Sequence, residues 1–231
     1  MTITIVPSKS RGQTAIGWLK SRHSFSFGNY RDPNNMNFGA LKVFNDDQVQ
    51  PNKGFDTHSH ANFEIVSIVL EGQLKHKDSM GHEETLNEND VQRISAGTGI
   101  EHSEFAGDQP VHFIQLWIAP RELNIKPSYE QKSFDLEENY NEFVTLVHPD
   151  DENTIKINAD ATISRGQFEP NLEIEYTFPK ETFGIFIFVV DGKIDINGQE
   201  LKPGDAAKIT DEDFLITTLE ECDILLLELP K

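Results

Sequence analysis

The feature that most constrains this chain is a strand pattern that occurs twice. The segment VLEGQL, residues 69–74, is followed by LNENDVQRI, residues 86–94; the segment VVDGKI, residues 189–194, is followed by LKPGDAAKI, residues 201–209. Each copy has an apolar strand, an acidic turn with glycine, a strand, a turn that ends in Asp, and another strand. Repetition of one supersecondary unit predicts two related β-domains in tandem.

Short apolar runs bounded by Gly, Pro, Asn or Asp dominate the rest of the chain, and they are rich in β-branched and aromatic residues. The clearest are FEIVSIVL (63–70), VHFIQLWIA (111–119), FGIFIFVV (183–190) and DILLLEL (223–229). The best helical candidate is the acidic stretch FDLEENYNEF (134–143). We therefore predict an all-β fold of two jelly-roll-like barrels, an N-terminal domain over residues 1–135 and a C-terminal domain over residues 136–231.

Composition excludes several classes of function. The formal charge is −19, from 39 acidic and 20 basic residues, and such a surface repels phosphate backbones, so we predict no direct nucleic-acid binding. No apolar run reaches the roughly 18 residues that span a bilayer, and the N-terminus does not resemble a signal peptide, so we predict no membrane association and a cytoplasmic location. The single cysteine, Cys222, excludes an intrachain disulfide and a sulfur-rich metal site. We interpret it as a residue packed on a strand.

Two pairs of potential metal ligands stand around the first copy of the repeat. GFDTHSH contains His58 and His60, and GIEHSEF contains His102 and Glu104. Side chains at i and i+2 on a strand share a face, so a barrel could bring both pairs together in its interior. Three imidazoles and one carboxylate suit Fe(II), Mn, Co, Ni, Cu or Zn, and an open coordination position favours catalysis.

The second copy of the repeat offers an internal comparison. Offsets of 120 and 115 residues, taken from the paired glycines and aspartates of the repeat, predict the counterparts of the four candidate ligands. These counterparts are Phe178, Lys180, Thr217 and Leu219. Because the second copy keeps the strand pattern and lacks the ligand types, the four residues of the first copy are interpreted as functional.

The other histidines are interpreted as structural or solvated. His76 and His82 flank the hairpin tip HKDSMGH, where we expect them to be in solvent, and His23, His112 and His148 are expected to pack. In SFSFGNY, Phe25 and Phe27 could form an aromatic wall of a pocket, but an ordinary strand with one buried face is favoured.

Several long motifs resemble the pirin family of two-cupin (bicupin) proteins. They are GWLKSRHSFSFGNYRDPNNMNFGALKVFNDD, HSHANFEIVSIVLEG, AGTGIEHSEF and QLWIAPRELNIKPSYEQ, and the resemblance covers nearly the whole chain, with the shorter bacterial members most similar. It implies two cupin barrels, with one divalent metal, Fe(II) ahead of Zn, Mn, Co, Ni or Cu, held by His58, His60, His102 and Glu104. Glu64, a ligand position in many other cupins, would then lie outside the ligand set.

The resemblance also implies an activity. Bacterial members are known for quercetin 2,3-dioxygenase activity, in which a flavonol ring is opened with O2 and carbon monoxide is released. The metal would chelate this planar aromatic substrate, and Glu104 would act as ligand and general base. Two alternatives stay open: a metal- and redox-dependent co-regulator that binds a protein partner, and a metal-dependent isomerase or hydrolase.

Overall fold

The computed structural model describes residues 3–179 and 183–230, except for the side chain of Phe183. Within these ranges the only helical element is one turn of 3-10 helix, Ser8–Ser10. The described residues therefore contain no helix that is long and apolar enough to cross a membrane. The strands are β1 Ile3–Val6, β2 Gly12–Ile16, β3 Leu19–His23, β4 Leu41–Val49, β5 Gly54–His60, β6 Glu64–Glu71, β7 Leu74–Asp78, β8 Glu83–Leu86, β9 Asp90–Ser95, β10 Ile100–Ala106, β11 Val111–Ile118, β12 Ser128–Ser133, β13 Val144–Val147, β14 Thr162–Phe168, β15 Glu173–Tyr176, β16 Phe183–Asp191, β17 Ile194–Ile196, β18 Gln199–Leu201, β19 Ala206–Thr210, β20 Phe214–Thr218 and β21 Cys222–Pro230.

The strands divide between two compact units. The N-terminal unit contains residues 12–134 and 149–160, and the C-terminal unit contains residues 3–11, 135–148 and 161–230. Strand β1 belongs to the C-terminal unit because it pairs antiparallel with β19, with Ile3 opposite Ile209. Two short segments do not follow a single division of the chain after residue 135: residues 3–11 belong to the C-terminal unit and residues 149–160 to the N-terminal unit. The domain bounds 1–135 and 136–231 stay a prediction.

Each unit is built from two antiparallel sheets. In the N-terminal unit the orders are β12-β9-β6-β11-β4-β3-β2 and β5-β10-β7-β8. In the C-terminal unit they are β1-β19-β16-β21-β14-β13 and β15-β20-β17-β18. The four apolar runs singled out in the sequence become β6, β11, β16 and β21, and the predicted all-β fold of two tandem jelly-roll-like domains is confirmed.

The acidic stretch at residues 134–143 is not a helix, so that expectation was wrong. It forms turns, in which the Asp135 carboxylate accepts a hydrogen bond from the backbone N–H of Glu138. Asn141 adopts a positive φ of 72°, which no right-handed helix contains, and its side-chain oxygen accepts the backbone N–H of Glu169. Side-chain hydrogen bonds to the backbone compete here with the helical ladder.

Strand alternation divides the interior of the N-terminal unit into layers. On β6, Ile65, Ser67 and Val69 share one face, because they are two residues apart. Ile65 packs in one apolar cluster with Ile94 and Ile100, and Val69 packs in another. The second cluster consists of Leu19, Val49, Val69, Leu74, Leu86, Ala106, Val111 and Phe113. Ser67 therefore lies in a polar layer between two apolar ones, and this layer contains the candidate site.

Candidate metal centre

Strand β10 places two of the predicted ligands inside the N-terminal unit. Its burial alternates along IEHSEFA, with Ile100, His102, Glu104 and Ala106 inside. His102 and Glu104 are each only 1% exposed. Since Ile100 and Ala106 belong to the two apolar clusters, the strand anchors itself at both ends and presents His102 and Glu104 to the layer between them.

Strand β5 supplies the other two predicted ligands. His58 stands opposite His102 and His60 opposite Ile100, with a register shift between His102 and Glu104 that marks a bulge beside the site. The Nδ1–H of His58 donates to the carbonyl oxygen of Asp56 at 2.7 Å. Metal-binding histidines commonly fix their second nitrogen in this way, and Nε2 of His58 is then the atom left for a ligand.

The three histidines form one compact group. Ring centroids are 4.5 Å apart for His58 and His102, 4.8 Å for His58 and His60, and 4.9 Å for His60 and His102. One nitrogen from each lies within 4.8 Å of the others. Both ring nitrogens of His102 are buried and make no hydrogen bond within the described part of the chain. A buried polar atom without a partner is costly, and a metal ion would remove that cost.

Burial also keeps two of these rings, His60 and His102, in the neutral form that binds metal. It lowers the pKa of His60 to about 3, with further lowering by the neighbouring charges of His102 and His58. Burial likewise lowers the pKa of His102, in spite of the opposing effect of Glu104. Neutral imidazoles are metal ligands and protonated ones are not, so the donor set fits a divalent transition metal.

The carboxylate of Glu104 is held by three donors from the seven-stranded sheet. Oε1 accepts Gln92 Nε2 at 2.6 Å and Ser67 Oγ at 3.2 Å, and Oε2 accepts Gln115 Nε2 at 2.7 Å. Gln92, Ser67 and Gln115 lie in one row, since Ser67 stands opposite each of the other two across neighbouring strands. A carboxylate has about four acceptor positions, so Oε2 keeps one for a further partner.

Two aromatic donors fix the amides that hold Glu104. Trp117 Nε1–H donates to Gln115 Oε1 at 3.3 Å, and the single O–H of Tyr129 is shared between Gln131 Oε1 at 2.7 Å and Gln92 Oε1 at 3.1 Å. With their oxygens occupied in this way, both amides turn their NH2 groups toward Glu104. Sequence reasoning missed this network because its members come from β6, β9, β11 and β12, which are distant along the chain.

The structure places the four predicted ligands in two overlapping groups. His58, His60 and His102 form the first, whereas Glu104 shares the second with His102 and with His76. The four-residue ligand set of the sequence analysis stays a prediction. His76 was not among its candidates.

His76 is buried, which corrects the expectation that it lies in solvent. On β7 the residues Leu74, His76 and Asp78 face inward and the lysines between them face outward, and His76 is 1% exposed. His82 is half-exposed, and its Nδ1 lies 2.8 Å from Asp78 Oδ2. The signal was present in LKHKD, whose period of two places His76 on the same face as the core residue Leu74.

Asp78 and Tyr129 hold the two histidines of this hairpin. Asp78 Oδ2 accepts His76 Nε2–H at 3.2 Å, and the ring of Tyr129 stacks on His76 at 4.5 Å and on His82 at 5.0 Å. Burial alone would raise the pKa of Asp78, but hydrogen bonds from His76, His82 and two backbone N–H groups lower it below its usual value. The carboxylate is therefore an ionised acceptor for His76.

Glu64 is the first residue of β6 and belongs to neither of the two donor groups found in the described residues. Its carboxylate accepts Ser95 Oγ at 2.8 Å and the backbone N–H of Asn158 at 3.2 Å. Burial raises its pKa. Asn158 belongs to the segment 149–160, so Glu64 ties that segment to the N-terminal unit.

A cavity of about 510 Å³ opens onto the candidate site. His58 and Glu104 lie on its wall together with the aromatic side chains of Trp18, Phe27, Phe55 and Trp117. The rings of Phe27 and Trp117 pack edge to face at 5.4 Å, and those of Trp18 and Phe55 at 5.5 Å. The aromatic-wall alternative thus describes Phe27, whereas Phe25 is buried in the core.

His23 contributes a polar part of the same cavity wall. It stands opposite Asn45, which stands opposite Gln115, so the polar row that holds Glu104 continues across two more strands. His23 Nδ1–H donates to Asn45 Oδ1 at 2.8 Å, and Nε2 accepts from Thr14 Oγ1 at 2.9 Å. His112 lies elsewhere, with Nε2 at 2.7 Å from Asp46.

The C-terminal unit carries apolar side chains at the corresponding positions. Leu74 and Ile194 are equivalent residues of the two repeats. Leu74 pairs with Ala106 on β10, and Ile194 pairs with Thr218 on β20. Ala106 therefore corresponds to Thr218, which gives β10 and β20 an offset of 112 residues. His102 and Glu104 then correspond to Phe214 and Ile216. Ser95 and Thr210 are related by the predicted offset of 115. His102 follows Ser95 by seven positions, whereas Phe214 follows Thr210 by only four. The connection before β20 is thus three residues shorter, and the offset of 115 was wrong by three for His102 and Glu104.

Tyr176 completes this comparison. It stands opposite Phe214 as His58 stands opposite His102, and its ring stacks on Phe214 at 4.9 Å. Phe178, two residues on, packs against the same core. The predicted counterpart Lys180 lies outside the described residues. At the positions where the N-terminal unit has candidate metal ligands, the C-terminal unit therefore has side chains that pack against one another.

Two family models match the chain. The pirin model matches residues 5–118, and the model of the quercetinase C-terminal cupin domain matches residues 145–229.

Relatives and solved structures match nearly the whole chain. The quercetin 2,3-dioxygenase of Escherichia coli K12 is 37% identical over 227 residues, which cover 96% of each chain. A pirin-like protein of Caulobacter vibrioides is 36% identical over 226 residues, which cover 96% of this chain and 97% of that one. The crystal structure of the bacterial pirin YhhW from Escherichia coli in complex with nickel(II) is 36% identical, covers 99% of each chain and superposes with a TM-score of 0.93.

Proposed function

This chain belongs to the pirin family, and we propose that it is a metal-dependent dioxygenase that opens the ring of flavonols such as quercetin. The observation that carries the proposal is the group of three histidines beside an aromatic cavity, with one nitrogen of each within 4.8 Å of the others. The name of the Escherichia coli relative supports the substrate class.

His58, His60, His102 and Glu104 are the proposed ligands of one divalent metal. Fe(II) is the first candidate, and nickel(II) belongs among the metals to be tested because it is bound in the Escherichia coli pirin structure. When bound, the metal would lower the pKa of a substrate hydroxyl and favour reaction of the resulting anion with O2.

Glu104 is the residue proposed to move a proton. If Glu104 loosens from the metal, its Oε2 atom, which accepts one hydrogen bond from Gln115, would offer its remaining acceptor position to a substrate hydroxyl at the cavity wall. A general base must lie within hydrogen-bond reach of the proton that it removes, and Glu104 lines the cavity that a substrate would enter. Gln92, Ser67 and Gln115 would hold the carboxylate in place while it does so.

The cavity supports a planar aromatic substrate. Its volume lies in the range of small-molecule sites, and Trp18, Phe27, Phe55 and Trp117 offer apolar faces that exclude water. The polar row begins at Gln115, a donor to Glu104, and continues through Asn45 to His23, so it provides hydrogen-bonding groups up to two strands beyond Gln115. A flavonol, which combines flat rings with hydroxyl groups at both ends, matches such a wall.

The experiment compares wild type with His58→Ala/His102→Ala and with His148→Ala, which removes a histidine of the C-terminal unit. Metal content is measured by mass spectrometry, and quercetin consumption and carbon monoxide release are measured under air. Wild type and His148→Ala should hold about one metal per chain and turn over quercetin, and the double variant should lose both. Metal binding without turnover in wild type would refute the dioxygenase and favour the protein-binding alternative. The cytoplasmic location stays part of this proposal.

A further inference from the structure

His76 faces the same interior space as the candidate ligands. It stands directly opposite Glu104 in the pairing of β7 with β10, and opposite residues of an antiparallel pair project from the same face of the sheet. One ligand atom each from His76, His102 and Glu104 lie within 4.8 Å of one another, and all three residues are buried. This group differs from that of His58, His60 and His102 in two of its three members.

The hydrogen bonds of His76 are those of a metal ligand. Nε2–H donates to Asp78 Oδ2, and Nδ1 is buried with no hydrogen-bond partner in the described part of the chain. A histidine that binds a metal through one nitrogen almost always donates the other to a carboxylate or a carbonyl. His58 shows the carbonyl form of this arrangement with Asp56, and His76 shows the carboxylate form.

Packing alone does not account for His76. Its ring stacks on Tyr129, which stabilises the ring plane but provides no donor for Nδ1. A buried acceptor without a partner costs about 1–3 kcal/mol. His102 carries two buried nitrogens without a hydrogen-bond partner in the described part of the chain, one of them an acceptor in the neutral ring, at a ring-centroid distance of 5.6 Å from His76. One cation between His76 and His102 would satisfy an atom of each.

Glu104 supplies the negative charge that such a cation needs. Its Oε1 is occupied by Gln92 and Ser67, and Oε2 keeps one acceptor position. Two imidazoles and one carboxylate, with no sulfur, form a donor set for Fe(II), Co(II), Ni(II) or Zn(II).

We propose that His76, His102 and Glu104 form an inner metal position, which shares His102 and Glu104 with the outer position at His58 and His60. Because the two positions share ligands, the chain holds one ion at a time and offers it two alternative sites. The inner position uses part of the proposed dioxygenase site but does not depend on that reaction.

The test uses Co(II), whose visible spectrum reports its ligands, with binding measured by equilibrium dialysis on the full-length protein. The first variant, His58→Ala/His60→Ala, removes the outer ligands. The second adds His76→Ala to it, and the third adds His112→Ala instead, as a control that removes a histidine outside both groups. Circular dichroism and thermal unfolding check that each variant folds.

The first variant should still bind about one Co(II) per chain, with an affinity about tenfold to a thousandfold below wild type. The His112→Ala control should bind like the first variant, and the addition of His76→Ala should weaken binding by a further hundredfold or more. Absence of Co(II) binding in a folded first variant, or equal binding with and without His76, would overturn the proposal.

A second substitution keeps the test decisive if the His76→Ala variant does not fold. Asp78→Asn, placed in the His58→Ala/His60→Ala protein, retains the shape of the side chain but removes the charge that fixes Nε2–H of His76. Co(II) should then bind about tenfold more weakly. Unchanged Co(II) affinity would show that His76 is only a packing residue. The test measures Co(II) binding and not quercetin turnover, so its result for the inner metal position is independent of whether the protein is a dioxygenase.

Discussion

The substitution Gln115→Leu tests how the seven-stranded sheet of the N-terminal unit positions Glu104. Gln115 and Glu104 are 8% and 1% exposed, and Gln115 Nε2 is the donor to Glu104 Oε2, at 2.7 Å. Leucine keeps a similar volume, so the main changes are the loss of one donor to a buried carboxylate and the loss of the weaker, 3.3 Å acceptor of the Trp117 Nε1–H. The cavity wall is otherwise preserved.

The expected magnitude follows from the charge on the acceptor. A hydrogen bond to a charged group contributes about 1.5–3 kcal/mol, so the free energy of unfolding of the metal-free protein should fall by about that amount. Since about 1.4 kcal/mol corresponds to a factor of ten, the affinity for metal should fall by about 10- to 100-fold if Glu104 is a ligand. Gln92 and Ser67 still hold Oε1, so some binding should remain.

Urea unfolding of the metal-free protein and Co(II) dialysis measure the two effects separately. Gln48→Leu is the matched control, because Gln48 is an exposed residue of β4, the strand next to β11, and should change neither quantity. A Gln115→Leu variant with metal affinity equal to wild type would refute the reasoning that Glu104 is a metal ligand held by this sheet.

Three further predictions concern stability and reactivity. Gly54→Ala should lower stability by about 1–3 kcal/mol and weaken metal binding, since its Cβ would overlap the backbone of Glu104; unchanged urea unfolding would contradict this. Burial, with nearby acidic groups, raises the pKa of Cys222 to about 12, so at pH 8 a thiol reagent should modify the native protein about a thousandfold more slowly than the unfolded one. Asp223→Ala should cost about 3–5 kcal/mol in urea unfolding because it removes the carboxylate that lies 2.7 Å from the buried Arg165 guanidinium and balances its charge, whereas Arg165→Met/Asp223→Leu should recover most of that loss.

Much of the fold follows from local pattern. The apolar runs that became β6, β11, β16 and β21 were bounded correctly to within one residue, because turn residues and β-branched content mark strand ends directly. The stretch at residues 134–143 was misjudged because its acidic residues are compatible with a helix by propensity, while Asp135 and Asn141 bind the backbone instead.

The candidate site was only partly accessible to sequence reasoning. His58 with His60, and His102 with Glu104, are pairs at i and i+2, and such pairs reveal a shared face without any tertiary knowledge. His76 has no neighbouring ligand type at that spacing except Asp78, so its place beside Glu104 depends on the register of β7 and β10.

The residues that hold Glu104, and the counterparts of the ligands in the C-terminal unit, depend on strand register between segments distant in the sequence. Gln92, Ser67 and Gln115 are ordinary polar residues in three separate strands, and only the assembled sheet brings them to one carboxylate. The offset between the two repeats changes from 120 to 112 along the chain, so a comparison by fixed offset could not find Phe214 and Ile216 as the counterparts of His102 and Glu104.

The most direct test of the account is a titration of metal-free protein with Fe(II), in which the rate of quercetin consumption under air is followed at each addition. The account predicts that the rate rises in proportion to Fe(II), stops rising at about one equivalent per chain, and is accompanied by one carbon monoxide for each quercetin consumed. A rate that does not depend on Fe(II), or quercetin loss without carbon monoxide, would contradict the account.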